Sequence, residues 1–244
     1  MLILPAIDLR NGKCVRLKQG RVDQETVYSD DPVAMAQHWE KLGAKYLHLV
    51  DLDGAFHGHP IHIDTVGAIV TALNIPVELG GGLRTADDVQ RAVNVGVNRV
   101  ILGTSALERQ DLIPTLVKRF GNRIAVGIDA RDGMVALRGW TQTSSISAVE
   151  LASKVSEMGV QTLIYTDIAT DGMLQGPNID GLKEIMSAVT SKVIASGGVT
   201  TMDDLRSLQA VETEQLLGAI IGKALYDNQL DLRTVIAEFQ TRTV

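Results

Sequence analysis

The chain is short of cysteine, of aromatic residues and of long apolar runs. Its 244 residues include one cysteine, Cys14, so no disulfide can form within the chain, and we expect a reducing compartment, the cytoplasm. Aromatic residues make up 4% of the sequence, which leaves aliphatic side chains to fill a core. No apolar run is long enough to span a membrane, and the first one stops at Asp8, which favours a strand over a signal peptide.

The distribution of charge argues against a nucleic-acid partner. The chain has 29 acidic and 23 basic residues, a formal net charge of −6, and no run of lysine or arginine. A protein that binds a phosphate backbone needs a basic stripe on its surface. We therefore expect no nucleic acid, no membrane and no obligate protein partner, and we expect any anion site to be a local feature.

A short apolar strand leads into a glycine turn and a capped helix at two places in the chain. The first reads P-V-E-L-G-G-G-L-R-T-A-D-D-V at residues 76–89, and the second reads K-V-I-A-S-G-G-V-T-T-M-D-D-L at residues 192–205. Glycine pairs let backbone N–H groups approach a ligand, and Thr85 and Thr201 each stand three residues before an aspartate, as helix caps do. A helix start that faces a glycine turn is a site for anions.

Other features recur in the same order and at similar spacing. The pairs are Asp8 with Asp129, Asp51 with Asp167, and Gly103 with Gly222. Chance similarity between two loops does not produce an ordered series, so the sequence predicts a duplicated half of about 120 residues. We expect one domain, residues 1–244, made of two halves at about 1–120 and about 121–244.

Eight apolar runs alternate with helical segments along the chain. Nearly continuous aliphatic runs are typical of parallel strands that are buried on both faces. The runs lie at residues 2–7, 46–50, 76–79, 99–102, 124–128, 162–165, 193–195 and 217–221. Four βα units in each half predict a single (β/α)8 barrel built from two duplicated half-barrels. The alternative, an open doubly wound sheet, predicts no such two-fold repeat.

Helix starts and long connections complete the predicted outline. Asp31 before a proline, Ser147 with Glu150 as a capping box, and Asn178 after a proline are expected to begin helices. Long connections follow the first, second, fifth and sixth strands, and on the catalytic face of a barrel such loops are lids or binding loops more often than spacers.

Asp8 and Asp129 are the strongest candidates for catalytic residues. Strands one and five of an eight-stranded barrel lie opposite each other, so the two carboxylates are expected to flank one substrate. Such a pair suits a general acid and a general base that act on different atoms. An aspartate after a strand often only caps a loop, but a pair matched by duplication favours chemistry.

The glycine sites predict a substrate with two phosphates. Barrels often bind phosphate with the loops after strands seven and eight, and here that site has a copy after strands three and four. The candidate substrate- and phosphate-binding residues are Gly81, Gly82, Gly103, Thr104, Trp140, Gly172, Gly197, Gly198, Gly222 and Lys223, of which Lys223 adds a cation. Glycines alone are weak evidence, because tight turns need them as well.

Two further features leave alternatives open. His57, His59 and His62 lie near acidic residues in a loop, but no second cluster completes a coordination shell, so no metal site is predicted. Trp140, after Arg138 in the fifth loop, is placed either to stack on a heteroaromatic ring or to anchor the loop.

Seven motifs together resemble one enzyme family along nearly the whole chain. They are L-P-A-I-D-L-R-N-G-K, V-Y-S-D-D-P, H-L-V-D-L-D-G-A, E-L-G-G-G-L-R, I-L-G-T-S-A, G-I-D-A-R-D-G and T-D-I-A-T-D-G-M-L-Q-G-P-N. This text resembles the histidine-biosynthesis isomerases that act on phosphoribosylformimino-5-aminoimidazole carboxamide ribotide. The resemblance implies an Amadori rearrangement of an aminoaldose to an aminoketose, without a cofactor.

The resemblance also implies roles for individual residues. Asp8 matches the general base that moves the proton from C2 of the ribose, and Asp129 matches the general acid that opens the furanose ring. Thr166 matches a third polar position, while Asp171 and the adjacent Gly172 match a loop with an acid used in related bifunctional members.

Three alternatives stay open at this point. One is an isomerase that also accepts phosphoribosylanthranilate, and another is the cyclase subunit of imidazole glycerol phosphate synthase. The cyclase's first strand typically reads C-L-D-V-K-x-G, whereas this one reads A-I-D-L-R-N-G. The third is a phosphate-binding barrel without catalytic activity.

Overall fold

A ring of parallel strands forms the centre of the molecule. The computed structural model describes residues 1–137, 139–211 and 213–240, apart from the side chain of Thr104. In these ranges the strands are β1 (Leu2–Arg10), β2 (Lys13–Lys18), β3 (Arg21–Ser29), β4 (Leu47–Asp51), β5 (Val77–Gly80), β6 (Arg99–Leu102), β7 (Ile124–Arg131), β8 (Met134–Leu137), β9 (Gln142–Ser147), β10 (Thr162–Asp167), β11 (Lys192–Ser196) and β12 (Leu216–Ile221).

Eight of these strands close into a barrel. The parallel order runs β1, β4, β5, β6, β7, β10, β11, β12, and β12 pairs again with β1. All eight apolar runs picked out from the sequence are barrel strands, so the predicted (β/α)8 fold is confirmed. The two halves meet at a turn of 3-10 helix, Gly121–Arg123, and their origin by duplication remains our interpretation.

Helices surround the barrel and shield its outer face. In the described ranges they are α1 (Pro32–Lys41), α2 (Leu52–His57), α3 (Ile63–Ala72), α4 (Ala86–Asn94), α5 (Thr104–Glu108), α6 (Leu112–Phe120), α7 (Ala148–Glu157), α8 (Ile179–Ser187), α9 (Met202–Gln209), α10 (Lys223–Tyr226) and α11 (Leu232–Phe239). The short α5 and α10 follow the fourth and eighth barrel strands, so they occupy equivalent places in the two halves. No helix in the described ranges is long and apolar enough to cross a membrane.

The predicted helix caps are present. Asp31 accepts a hydrogen bond from the third residue of its helix with a proline at the helix start, and Asn178 caps α8. Thr85 and Thr201 each form a complete capping box with the aspartate three residues later. Ser147 caps α7 through the N–H of residue 150. These caps fix where each helix begins, and therefore how long each glycine turn before it is.

The barrel has two apolar cores. Side chains alternate along a strand, so every second residue faces the barrel interior. The buried interior cluster consists of Leu4, Ala6, Tyr46, Ile101, Ala125, Ile164, Ile194 and Ile220. The outward-facing residues pack against the helices in a larger aliphatic layer, as the low aromatic content predicts.

Two of the predicted long connections are β-hairpins. β2 and β3 continue from β1 as an antiparallel ribbon, and β8 and β9 continue from β7 in the same way. The sequence indicated loops here but not strands, because β3 is largely exposed and lacks the continuous apolar pattern of the barrel strands. Both hairpins rise above the carboxyl ends of the strands, where they form walls around the site.

Candidate active site

A cleft of two adjoining cavities opens at the carboxyl ends of the barrel strands. The first, about 770 Å³, includes Asp8, and the second, about 860 Å³, includes Asp129. The cavities share His48, Val50 and Ser196, which therefore mark the floor between them. The two aspartates thus lie in the two halves of one cleft, as the duplication predicts.

Asp8 is held by an arginine from the first hairpin. Arg16 donates from Nη1 to the Asp8 carboxylate at 2.9 Å and from Nη2 to the carbonyl of Ala6 at 2.7 Å. Its guanidinium also stacks on the ring of Tyr226 at 5.4 Å and lies over Gly222, where an added Cβ would be 2.6 Å from Cζ. Although burial opposes it, the negative charge of Asp8 keeps the pKa of Arg16 above its usual value. One cation therefore joins Asp8 to the turn after the last strand.

Asp129 is held by neutral hydrogen-bond donors. The indole Nε1–H of Trp140 donates to its carboxylate at 2.8 Å, and Thr166, its neighbour on the adjacent strand, donates a side-chain hydrogen bond. Burial nevertheless raises the pKa of Asp129, and those hydrogen bonds and the nearby His48 only partly offset the rise. A buried carboxyl that gains protons easily suits an acid more than a base.

Asp171 lies in the first cavity with Asp8. Burial raises its pKa to about 7, an effect that Arg16 opposes and the charges of Asp8 and Asp129 reinforce. A carboxyl with this pKa is part protonated near neutral pH, which is the range where a general acid works best. The loop acid that we took from the resemblance alone is therefore placed at the cleft.

The glycine turns after β5 and β11 pack in the same way in both halves. Gly81 and Gly197 have φ of 99° and 90°, values that glycine adopts easily. A Cβ at Gly81 would collide with the carbonyl oxygen of Asp51, and a Cβ at Gly197 would lie 2.8 Å from that of Asp167. The following glycines, Gly82 and Gly198, also have positive φ and line the two cavities with their predecessors.

Gly103 and Gly222 stand at equivalent helix starts. Each precedes a short helix, and each lines one of the two cavities. A Cβ at Gly103 would meet nothing within 4 Å, so this glycine borders open space. The neighbouring Thr104 begins α5, but its side chain lies outside the described part of the structure.

Lys223 also lines the first cavity, but it is not a free cation there. Its Nζ forms an ion pair with Asp227 one helical turn later, and Asp227 also accepts a hydrogen bond from Tyr28 at 2.6 Å. The hydrogen bond to Asp227 raises the pKa of Lys223. The guanidinium of Arg16, which sequence reasoning missed, also lies against this glycine turn.

Three catalytic-face loops touch one another over the cleft. Trp140, with φ of 68°, packs its ring on Gly20 at the tip of the first hairpin. Gly172, with φ of 67°, lies against the backbone of Leu17 and the next residue. Trp140 therefore anchors a loop and also lines the first cavity, while its stacking on a heteroaromatic ring stays a prediction. Arg138, beside it in the sequence, lies outside the described ranges.

The histidine-containing loop after β4 is organised by hydrogen bonds. Asp51 accepts from the backbone N–H groups of Gly54, Ile61 and His62, at 2.7 to 2.9 Å. Asp53 accepts from the ring of His62 at 2.7 Å. Among the described residues, no group of three or more potential ligands is arranged to hold a metal ion. These side chains therefore shape the loop over which Gly81 and Gly82 pack.

Sequence reasoning missed six polar residues of the cleft: Arg16, His48, Arg84, Ser105, Ser196 and Thr200. Two of them carried a local signal, because Arg16 and His48 interrupt apolar runs in V-R-L and L-H-L. A polar side chain that lies among the apolar residues of a strand is unusual unless it is paired or functional.

The fold and the site define a (β/α)8-barrel protein with acid–base groups on both sides of a cleft that has a glycine turn at each end. The chain belongs to the family described as "Histidine biosynthesis protein", whose profile matches residues 2–231. It is similar to a protein of Roseiflexus castenholzii, 53% identical over 240 residues that cover 98% of this chain and 100% of that protein.

Two further relatives are similar over almost their whole length. A protein of Syntrophomonas wolfei is 47% identical over 243 residues, which cover 99% of this chain and 100% of that protein. A protein of Acaryochloris marina is 53% identical over 232 residues, which cover 95% and 90%. All three are named 1-(5-phosphoribosyl)-5-((5-phosphoribosylamino)methylideneamino)imidazole-4-carboxamide isomerase.

The packing of the glycine turns generates a stability prediction. Gly81→Ala places a Cβ against the Asp51 carbonyl, whereas Gly12→Ala has a similar positive φ of 75° and meets nothing within 4 Å. We expect Gly12→Ala to lower the free energy of unfolding by about 1–2 kcal/mol, because alanine is strained in the left-handed backbone conformation. We expect Gly81→Ala to lower it by about 1–3 kcal/mol more than Gly12→Ala does, because its Cβ also overlaps the Asp51 carbonyl. Urea unfolding measures both. Equal losses would show that the turn accommodates a side chain.

Proposed function

We propose that this protein catalyses the Amadori rearrangement of phosphoribosylformimino-5-aminoimidazole carboxamide ribotide, an aminoaldose, to its aminoketose isomer in histidine biosynthesis. One observation carries the proposal: two carboxyl groups from equivalent strands, Asp8 and Asp129, lie in adjoining halves of one cleft. The membership of the histidine biosynthesis family and the names of close, full-length relatives support it.

The two phosphates of the substrate are assigned to the two glycine-lined ends of the cleft. Gly81, Gly82 and Gly103 line one end, and Gly197, Gly198 and Gly222 line the other. Backbone N–H groups at glycine turns bind anions without a dedicated side chain. The net charge of −6 supports such local sites, because the surface as a whole does not attract anions. At the second end Arg16 adds a positive charge close to Gly222.

Asp129 is assigned as the general acid of the first step. The furanose ring opens when its oxygen receives a proton while the C1–O bond breaks and the nitrogen lone pair forms a C1=N double bond. A raised pKa keeps the Asp129 carboxyl available as a donor. Thr166 and Trp140 hold this carboxyl in place from two sides.

Asp8 is assigned as the general base of the second step. It removes the proton from C2 of the opened sugar, and the electron pair moves into a C1=C2 double bond with the nitrogen as electron acceptor. The resulting enol becomes the ketone when C1 receives a proton and the C2 hydroxyl loses one. The ion pair with Arg16, at 2.9 Å, holds the Asp8 carboxylate in place.

Asp171 is a second candidate for the acid. It shares the first cavity with Asp8, and its pKa of about 7 suits proton donation at neutral pH. The pKa values of Asp129 and Asp171 are thus both raised, and each residue lines one of the two cavities. The substrate position decides which of them reaches the ring oxygen, and variants separate the two assignments.

We further propose that the protein works in the cytoplasm and without an obligate protein partner. The single cysteine supports a reducing compartment. Both proposed phosphate sites and all the proposed acid–base groups come from one chain.

A turnover assay tests the function directly. We expect the purified protein to convert the aminoaldose to the aminoketose, and chromatographic separation of the two isomers measures the conversion. An Asp8→Ala/Asp129→Ala double variant controls for contaminating activity. Binding without turnover would instead indicate a phosphate-binding barrel. Consumption of the aminoketose with ammonia, but not of the aminoaldose, would indicate the cyclase. Phosphoribosylanthranilate in a parallel assay decides whether a second aminoaldose is accepted.

The two assigned roles predict that substitution of Asp8 and substitution of Asp129 block different steps of the reaction. Asp8→Asn is expected to lower kcat by about 10²–10⁴-fold and still allow ring opening, because the base acts after that step. Asp129→Asn is expected to prevent ring opening itself, seen by rapid quench and trapping of the open aldehyde form. Normal formation of the open form in Asp129→Asn, with loss of it in Asp171→Asn, would move the acid role to Asp171.

The pKa of about 7 for Asp171 predicts a pH dependence. Below that pH the carboxyl holds its proton and can donate it, so kcat/KM is expected to fall as pH rises through about 7 if Asp171 acts as the acid. Asp171→Asn removes this fall together with most of the activity. Asp180→Asn, an exposed aspartate on α8, is the matched control and keeps the wild-type profile. A profile unchanged in Asp171→Asn would exclude the residue as the titrating group.

A further inference from the structure

Three polar side chains form a connected row inside the barrel, directly below the cleft. This interior triad consists of His48 on β4, Glu78 on β5 and Arg99 on β6, which are neighbours in strand register. Their exposed fractions are 9%, 0% and 8%. The proposed mechanism uses none of them, and buried charged groups of this kind need a reason.

The hydrogen bonds of the triad converge on the carboxylate of Glu78. Arg99 donates to Glu78, from Nε at 2.8 Å and from Nη2 as well. The other carboxylate oxygen of Glu78 lies 2.5 Å from Nδ1 of His48. Although burial opposes it, the hydrogen bond from His48 and the charge of Arg99 lower the pKa of Glu78. An ionised carboxylate only accepts hydrogen bonds, so the proton of the histidine ring lies on Nδ1.

The second half of the barrel shows that a polar triad is not needed to build this layer. The positions that correspond to the triad by the duplication hold aliphatic residues or glycine, and they are Ile164, Ile194 and Gly218. Apolar side chains of similar volume often stabilise a core as well as a buried ion pair does, or better. The triad therefore serves something other than the closure of the barrel.

His48 connects the triad to the cleft. It lines both cavities, between the part that contains Asp8 and the part that contains Asp129. A histidine ring that holds its one proton on Nδ1 has a free lone pair on Nε2.

We propose that Glu78, held by Arg99, is a positioning residue that fixes His48 as the Nδ1–H tautomer, so that Nε2 accepts a hydrogen bond from a hydroxyl of the reacting sugar. The role rests on the proposed isomerase function and deepens it. The hydroxyl on C2 must release its proton when the enol becomes the ketone, and an acceptor on the floor of the cleft favours that release.

Nitrogen NMR of the histidine rings tests the tautomer without any assay of activity. In wild-type protein labelled with ¹⁵N-histidine, the His48 signals are identified by their loss in His48→Asn. We expect Nδ1 to show the shift of a protonated ring nitrogen and Nε2 that of an unprotonated one. A proton found on Nε2 overturns the proposal. If the wild type fails to isomerise the aminoaldose, the proposed function falls, while this measurement still decides the tautomer.

Glu78→Gln tests the positioning role. The amide has one oxygen, which Arg99 needs as acceptor, so its NH₂ group turns to His48 and forces the ring proton onto Nε2. We expect the reversed tautomer and a loss in kcat of about 10–100-fold with a smaller change in KM. Tyr46→Phe is the control: it loses the hydrogen bond to Asn98 but keeps its ring over Arg99, and it retains kcat.

The remaining outcomes also decide the question. A reversed tautomer with kcat within twofold of wild type, or lost kcat with the tautomer unchanged, overturns the role. Because Glu78→Gln leaves Arg99 without a counter-ion, Glu78→Leu/Arg99→Met removes both charges and imitates the apolar layer of the other half. We expect that variant to fold, with lost control of the tautomer and the same fall in kcat. If neither variant folds, the triad is structural and the proposal is wrong.

Discussion

The hydrogen bonds that close β12 on β1 are the constraint on which the rest of the structure depends. Closure brings the carboxyl ends of eight strands into one ring, and the alternation of side chains then aims every second terminal residue at the same space. Asp8 and Asp129 lie far apart in sequence but face one cleft for this reason alone. Any slip of register by one residue would turn both carboxylates into the helical layer.

The two halves share landmarks that we interpret as a duplication, but the surroundings of the matched residues differ. Asp8 keeps a cation at 2.9 Å, whereas Asp129 has neutral donors in a buried setting. The first arrangement stabilises a charge, and the second makes a charge unfavourable. The interior repeats this difference, since one half has the charged triad below the cleft and the other has aliphatic side chains. The proposed base and the proposed acid thus stand at matching strand ends with different surroundings.

The sequence predicted the barrel well, because buried parallel strands have continuous aliphatic patterns and helix starts have local caps. Asp8 and Asp129 were found through the repeat, which converts distance in sequence into equivalence in space. Arg16 was missed because no local pattern reveals that a hairpin folds its side chain back over Gly222. From the sequence, Lys223 was expected to offer its positive charge to a phosphate. An aspartate four residues later is, however, a natural ion-pair partner in a helix.

Arg16 joins Asp8 to the last glycine turn, within one end of the cleft. Its guanidinium contacts the Asp8 carboxylate and also covers the glycine turn at Gly222. In the proposed reaction, the phosphate bound at that turn and the base at C2 would therefore contact the same guanidinium. Phosphate binding and proton removal would then depend on one side chain that the first hairpin supplies.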